Sequence, residues 1–194
     1  MKLKIPNILT IGRMILVPIF VFTFYLPGLL GDLIPFFIFL LASFTDFLDG
    51  LLARLYKEES KLGELLDPIA DKIIVSAALI LLVMNGTIQN YEVIAAIIIL
   101  TREILISGLR EFLGKVQVQM PVTSLAKVKT FIQMFSIAIL LTGETGNAII
   151  NFEDYNAQTV GIILLWLSAF LTLYTGYDYV RKGIEHVISE DEKN

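Results

Sequence analysis

The segment from Leu33 to Tyr56 reads LIPFFIFLLASFTDFLDGLLARLY. Its 24 residues exceed the roughly 20 that a helix needs to cross a bilayer core about 30 Å thick. The run nevertheless contains Asp46 and Asp49 near its end. A carboxylate at the centre of a membrane helix costs roughly 2.5 to 3.5 kcal/mol on insertion scales, so such groups indicate a functional site.

The rest of the chain contains further apolar segments of similar length. The chain has 194 residues, of which 56% are hydrophobic, and its mean hydropathy is +0.74. The first apolar run is interpreted as a retained helix and not as a signal peptide, because no small-residue cleavage site follows it. The pattern predicts an all-α integral membrane protein without strands, forming one domain over residues 1–194. Its six predicted spans are at about Ile8–Leu26, Leu33–Tyr56, Leu65–Met84, Tyr91–Glu111, Leu125–Leu141 and Thr159–Val180.

Lysine and arginine are segregated once these spans are drawn. They occur near both termini and around the second-to-third and fourth-to-fifth turns, and they are missing from the other three turns. The positive-inside rule then predicts that both termini lie in the cytoplasm, in a protein of the cell (inner) membrane. Tyrosines near the end of the last span fit an interfacial aromatic belt: Tyr174, Tyr177 and Tyr179.

Composition excludes several chemistries. The chain has no cysteine and a single histidine, His186, so disulfides, thiolate catalysis and structural zinc are excluded or nearly so. The net charge is −4, and no nucleic-acid partner is expected.

Four aspartates flank the turn between the second and third predicted spans. Asp46 and Asp49 are three residues apart, and Asp67 and Asp71 are four apart, so each pair lies on one helix face. In an antiparallel hairpin centred near Glu58, the two pairs lie at matching depths. Four close carboxylates cannot all stay ionised without compensating cations, and oxygen ligands alone are typical of Mg²⁺, with Mn²⁺ or Ca²⁺ as substitutes. Because a pair of such ions promotes in-line displacement at phosphorus, the cluster predicts phosphoryl transfer at the cytoplasmic membrane surface.

Small residues and one arginine accompany the carboxylates. Gly50, Ala53 and Gly63 leave open space for a bulky ligand, and Arg54 supplies a fork-shaped donor that suits phosphate. The alternative interpretation is that the small residues are helix-packing positions and that Arg54 anchors the helix end.

The complete pattern is Asp46-x2-Asp49-Gly50-x2-Ala53-Arg54-x8-Gly63-x3-Asp67-x3-Asp71. It resembles the full signature of the CDP-alcohol phosphotransferase family, with none of its eight fixed positions departing. Members of that family displace CMP from a CDP-linked lipid or alcohol with a second alcohol. The resemblance implies a homodimer of six-helix subunits that holds divalent metal, with two Mg²⁺ ions expected and Mn²⁺ as a substitute. It implies that Asp46, Asp49, Asp67 and Asp71 hold the metal and that Asp71 is also the catalytic base.

The resemblance also implies the composition of the nucleotide pocket. The N-terminal stretch Pro6-Asn7-Ile8-Leu9-Thr10, together with Arg13, is similar to the family segment in which polar side chains approach the nucleotide. An alternative interpretation of Asn7 is a helix N-cap. The CDP-lipid is thus expected to contact Asn7, Thr10, Asp49, Gly50, Ala53, Arg54 and Gly63.

Three further stretches resemble those of family members whose second substrate is glycerol 3-phosphate: Thr101-Arg102-Glu103, Ser107-Gly108-Leu109-Arg110 and Lys127-Val128-Lys129-Thr130. Arg102 lies about nine residues into its predicted span, too deep for a topology anchor, so a buried anionic partner is expected. Snorkelling is an equal alternative for each of the other cations taken alone. Together, Arg102, Arg110, Lys127 and Lys129 predict a phosphate clamp for sn-glycerol 3-phosphate. Glu103 is interpreted as an ion-pair partner of a neighbouring cation.

These observations leave three alternatives. The shared motif does not separate a user of glycerol 3-phosphate from a cardiolipin-type or inositol-phosphate-using synthase, although the cation set favours a phosphorylated alcohol. A divalent-cation transporter would place its acidic groups near the membrane midplane and provide an outward route, whereas the carboxylates and cations of this chain are both predicted on the cytoplasmic side. A prenyl transferase would be expected to repeat its aspartate-rich motif, and no second cluster occurs. The expected reaction is transfer of the phosphatidyl group of CDP-diacylglycerol to glycerol 3-phosphate.

Overall fold

The computed structural model describes residues 5–56, 61–115, 124–152 and 155–191. Within these ranges it describes only the backbone at residues 5–8, 47, 49–56, 61–65, 67, 68, 71, 115, 151, 152, 178, 182 and 184–191. The described helices are α1 (Ile5–Thr23), α2 (Leu29–Tyr56), α3 (Lys61–Met84), α4 (Glu92–Lys115), α5 (Ser124–Leu141), α6 (Gly143–Ile149) and α7 (Ala157–Asp191). Helices predominate because a membrane span must satisfy its backbone hydrogen bonds internally.

A short antiparallel hairpin lies between α6 and α7. Strand β1 (Asn151–Phe152) pairs with strand β2 (Tyr155–Asn156). The prediction that the chain has no strands is therefore wrong at this turn. Two residues a side are too few to show an alternating hydrophobic pattern, so the sequence carries no signal for this pairing.

The helices form two groups of three. In the first group, α1 packs along both α2 and α3, and within the described residues α2 and α3 contact each other less than either contacts α1. In the second, α7 packs along both α5 and α4. Helix α5 also contacts α2 and α3, and α3 contacts α4, so the two groups adjoin. One apolar core joins all six long helices through side chains such as Phe20, Phe39, Leu79, Ile99, Ile137 and Leu165.

Three helical segments in the described part of the chain are long and apolar enough to cross a membrane: Leu29–Asp46, Ser124–Leu141 and Ala157–Arg181. Two shorter apolar helical segments, Leu9–Thr23 and Lys72–Met84, accompany them. Large apolar side chains, among them Phe22, Phe37 and Phe170, are exposed on the outside of the bundle, as expected for contact with lipid. The chain is therefore a helical membrane protein.

Hydrogen bonds connect three interhelical turns at one end of the bundle. The Asp32 carboxylate, at the start of α2, accepts hydrogen bonds from the Thr145 backbone N–H (3.0 Å) and hydroxyl (2.8 Å) in α6. Gln158, at the start of α7, donates its Nε2 to the Thr87 carbonyl (2.9 Å) ahead of α4. We call the other end, where α2 ends and α3 begins, the motif end.

Two helix boundaries differ from the prediction. Helix α1 begins at Ile5, so Asn7 lies inside the helix and its interpretation as an N-cap is wrong. Helix α7 continues to Asp191, eleven residues beyond the predicted end at Val180. Packing supports this extension, because a Cβ at Gly183 would lie 3.1 Å from Leu109 Cδ1 of α4. Neighbouring helices can thus support helical structure beyond an apolar span.

Candidate active site

The motif lies on the two helices that meet at the motif end. Helix α2 carries Asp46, Asp49, Gly50, Ala53 and Arg54, and helix α3 carries Gly63, Asp67 and Asp71. Among these eight residues, only the side chain of Asp46 is described; the other seven side chains lie outside the described part of the structure, as does that of Asn7. The described side chains contain no group of three acidic or histidine residues that could hold a metal ion. The predicted metal cluster therefore stays a prediction at Asp49, Asp67 and Asp71, and the structure gives local geometry for its fourth member, Asp46.

Asp46 forms an ion pair with an arginine of α1. Arg13 Nη1 donates to Asp46 Oδ1 at 2.7 Å, and the arginine side chain is 1% exposed whereas that of Asp46 is 45% exposed. The pair is charge-assisted and links residues 33 positions apart. A buried guanidinium thus contacts the first aspartate of the motif. One oxygen of this half-exposed carboxylate is a hard ligand of the type that Mg²⁺ prefers, so the donor chemistry at Asp46 fits the predicted metal.

Thr10 lies three residues before Arg13 and is also buried. The spacing puts both residues on one face of α1, the helix that packs against both motif helices. This face is therefore the part of α1 that contributes polar groups to the site.

A second polar cluster joins α4 to α5. The Lys129 ammonium donates to Glu103 Oε1, and Arg102 Nη1 lies 3.6 Å from the same oxygen. The Lys129 side chain is 3% exposed. Glu103 is thus the ion-pair partner of a neighbouring cation, as predicted. It places two of the predicted phosphate-binding cations on either side of one carboxylate.

Helix α7 supplies neutral partners to both arginines of α4. Arg102 Nη2 donates to the Thr175 hydroxyl at 3.3 Å, and Arg110 Nη2 donates to the Tyr179 hydroxyl at 2.7 Å. The Arg110 guanidinium carbon also lies 4.9 Å from the centroid of the Tyr179 ring, a cation–π distance. Because Thr175 and Tyr179 are four residues apart, one face of α7 orients both guanidinium groups.

One donor of Arg102 remains available. Its Nε is buried and has no hydrogen-bond partner among the described residues. An unpaired buried donor is costly, by about 1 to 3 kcal/mol, and calls for an explanation such as a bound group. A phosphate oxygen would satisfy it.

A hydrogen bond connects the motif helix to this cluster. Lys72, which follows Asp71 in α3, donates its Nζ to the Ser107 hydroxyl of α4 at 2.5 Å. Ser107 lies between Arg102 and Arg110 in sequence. The helix that carries Asp67 and Asp71 therefore contacts the helix that carries the two arginines.

Not all the predicted cations come together. Lys129 points into the interface of α4 and α5, whereas Lys127, two residues earlier, is exposed. A helix places residues two apart on nearly opposite faces. The structure thus brings together Arg102, Glu103 and Lys129, joins Arg110 to Arg102 through α7, and leaves Lys127 on the outer face.

Two contacting residues were not assigned to the site from the sequence. Tyr179 was assigned to an interfacial belt with Tyr174 and Tyr177, which are indeed exposed, but Tyr179 itself is buried. Its offset from Tyr177 by two residues was the available signal, because it turns the ring to the opposite face. Arg13 accompanies the N-terminal segment of the resemblance but was not assigned as a site residue, although its position within an apolar helix is the same signal that singled out Arg102.

Comparison with known proteins gives the class of protein to which this fold and motif belong. The family model of the CDP-alcohol phosphatidyltransferases matches residues 3–174. The chain belongs to this family.

Similar proteins carry one shared name. A Rickettsia bellii protein is 45% identical over 178 residues, which cover 92% of this chain and 94% of the relative. A Haemophilus influenzae protein is 39% identical over 183 residues, 93% of this chain and 94% of the relative. A Cereibacter sphaeroides protein is 37% identical over an alignment of 223 positions, gaps included, which covers both chains completely. Each is named CDP-diacylglycerol–glycerol-3-phosphate 3-phosphatidyltransferase.

Proposed function

We propose that this chain transfers the phosphatidyl group of CDP-diacylglycerol to sn-glycerol 3-phosphate, giving phosphatidylglycerol phosphate and CMP. The observation that carries the proposal is the complete eight-residue motif on α2 and α3, in a chain whose relatives bear the name of this activity. The cluster of cations next to the motif helices supports the choice of a phosphorylated acceptor.

The reaction is a displacement at the β-phosphorus of CDP-diacylglycerol. The C1 hydroxyl of glycerol 3-phosphate forms the new O–P bond, the P–O bond to the CMP phosphate breaks, and CMP leaves with the bridging oxygen. Asp71 accepts the proton of the attacking hydroxyl. Two Mg²⁺ ions, or Mn²⁺ in their place, would be held by Asp46, Asp49, Asp67 and Asp71, and when bound they would neutralise the pyrophosphate and the charge that develops on the leaving group.

The two substrates occupy neighbouring parts of the site. The CDP-lipid is assigned to the α1–α2–α3 group, through Asn7, Thr10, Asp49, Gly50, Ala53, Arg54 and Gly63. The acceptor phosphate is assigned to Arg102, Arg110 and Lys129, whose shared geometry is described above. Because Lys127 lies on the exposed face, its contribution is a longer-range attraction that salt screens.

The same proposal includes topology and assembly. The protein resides in the inner membrane with six spans, and both termini lie in the cytoplasm. This orientation places the motif end on the cytoplasmic side, which supplies glycerol 3-phosphate. Residues 1–194 act as one transmembrane domain. The protein is proposed to be a homodimer, in line with the family resemblance.

The test is an assay of CMP release by the purified protein. With CDP-diacylglycerol and Mg²⁺, glycerol 3-phosphate should be the best acceptor in a panel that also contains glycerol, inositol phosphate and phosphatidylglycerol. Activity should vanish in a chelator and return with Mg²⁺ or Mn²⁺. A better rate with another acceptor would overturn the substrate while leaving the family intact, and full activity in chelator would overturn the metal mechanism.

Single substitutions test the motif in the same assay. Asp46→Asn, Asp49→Asn, Asp67→Asn and Asp71→Asn should each lower turnover by at least about a hundredfold, since each removes a metal ligand or the base. Retention of near-normal CMP release in any two of these variants would contradict the assigned roles.

A further inference from the structure

The two arginines of the proposed acceptor site, Arg102 and Arg110, are each held by a neutral side chain of α7. Arg110 is exposed, yet its guanidinium is fixed at two points by the buried Tyr179, through the hydroxyl at 2.7 Å and through the ring at 4.9 Å. The hydrogen bond fixes the distance between the guanidinium and the tyrosine hydroxyl. The ring contact limits movement of the guanidinium across the face of the ring. An unrestrained arginine side chain loses about 2 kcal/mol of rotamer entropy when it is immobilised, so this restraint lowers the cost of ligand binding.

Arg102 is held in a similar way one turn earlier on α7. The Thr175 hydroxyl accepts from its Nη2. Next to it, a Cβ at Gly176 would lie 3.3 Å from Arg102 Cγ, so the missing side chain lets the arginine stem lie close to the helix backbone. Residues 175–179 of α7 therefore hold both guanidinium groups in position.

The chemistry of the partners favours an anionic ligand. Tyrosine and threonine hydroxyls are neutral, so they orient the arginines without cancelling their charge. Arg102 and Lys129 share one carboxylate, Glu103, while Arg110 donates to the neutral Tyr179, so within this set positive charges outnumber negative ones. A phosphate monoester carries about −1.5 to −2 at pH 7 and would complement this excess of positive charge.

We propose that Tyr179 is a positioning residue for the acceptor: it holds Arg110 where this arginine binds the phosphate of glycerol 3-phosphate. The inference rests on the proposed function and deepens it, because it assigns part of acceptor recognition to α7, a helix that carries no motif residue. Tyr179 acts through Arg110 and need not touch the substrate.

The test compares two conservative variants of the full-length protein in detergent and lipid mixed micelles. Tyr179→Phe keeps the ring and removes the hydroxyl; Tyr177→Phe makes the same change two residues away, on a side chain that is 68% exposed. Tyr179→Phe should raise the KM for glycerol 3-phosphate about three- to tenfold, less than the full value of a hydrogen bond to a charged group, because Arg110 and its ring contact remain. The KM for CDP-diacylglycerol, kcat and the melting temperature should stay near the unmodified values, and Tyr177→Phe should change none of these quantities.

A double-mutant cycle shows whether Tyr179 works through Arg110. In an Arg110→Ala background, which itself raises the KM for glycerol 3-phosphate, adding Tyr179→Phe should have no further effect. Additive effects, or equal increases in both KM values together with a lower melting temperature, would overturn the positioning role. If Arg110→Ala raises this KM and Tyr179→Phe does not, the inference fails and the proposed function stands. If Arg102→Ala and Arg110→Ala both leave this KM unchanged, the proposed acceptor site itself is wrong.

Discussion

At the scale of single residues, the ion pair between Arg13 and Asp46 is asymmetric. The arginine is buried and the aspartate is half exposed. Water can solvate Asp46 when the arginine is replaced, but the guanidinium keeps its buried surroundings when the carboxylate is neutralised. Removing one countercharge of a buried ion is the more costly change.

This asymmetry gives a prediction for stability. Measured by thermal unfolding in detergent with chelator present, Asp46→Asn should lower the melting temperature more than Arg13→Met. The expected difference is roughly 1 to 2 kcal/mol, or about 2 to 8 °C for a chain of this size. Chelator is included so that loss of bound metal does not contribute to the difference. If Arg13→Met is instead the less stable variant, the aspartate depends more on the ion pair than the arginine does, and the prediction is wrong.

The two lysines of α5 provide a matched pair of variants for the proposed acceptor site. Lys129→Met keeps the aliphatic stem but removes the ammonium that contacts Glu103, whereas Lys127→Met makes the same change on the exposed face. We expect the first to raise the KM for glycerol 3-phosphate at least tenfold and the second less than about threefold, because a direct charge-assisted bond far exceeds a screened attraction. Equal effects in a steady-state CMP-release assay would place both lysines at the phosphate or neither.

At the scale of helices, the contact between α5 and α7 depends on a close approach at Gly161. The Ser136 hydroxyl donates to the Gly161 carbonyl at 2.8 Å, and a Cβ at Gly161 would lie 2.6 Å from Cδ2 of the buried Leu140. Small residues at such points are typical of membrane helices that pack closely. The contact also fixes α7 against the helix that carries Lys129.

Gly161→Ala should therefore destabilise the protein by about 1 to 3 kcal/mol, the usual cost of overpacking. Gly108→Ala is the control, because nothing lies within 4 Å of a Cβ added there and alanine favours the helix. Thermal unfolding of both variants in one detergent is sufficient. A stable Gly161→Ala protein would mean that Leu140 can move aside at little cost.

The sequence predicted the helices better than it predicted the contacts between them. Apolar length and the positions of the charges were enough to locate six helical segments, and the depth of Arg102 was enough to predict an anionic partner, which Glu103 supplies in part. Whether Tyr179 and Lys127 are buried or exposed depends on how α7 and α5 are rotated about their axes relative to their neighbours. That rotation is fixed by packing between distant helices and not by a local pattern.

At the scale of the whole molecule, the proposed orientation predicts which side of the membrane each turn occupies. Single cysteines are informative in this cysteine-free chain. Cysteines at Lys57, Gly114 and Ser124 should be shielded from an impermeant thiol reagent in intact cells and should react after permeabilisation. Cysteines at Leu29, Gln89 and Tyr155 should react in both conditions. The reversed pattern would place the motif end on the side that lacks the proposed substrates.

The position of α1 between the two motif helices has a consequence for biogenesis. During synthesis α1 emerges before α2, so Arg13 enters the insertion machinery before Asp46, 33 residues later, has been made. A lone arginine at this depth opposes release into lipid. We therefore expect the ribosome-bound chain to release α1 into the bilayer together with α2, so that the hairpin leaves the translocon with its charges already paired.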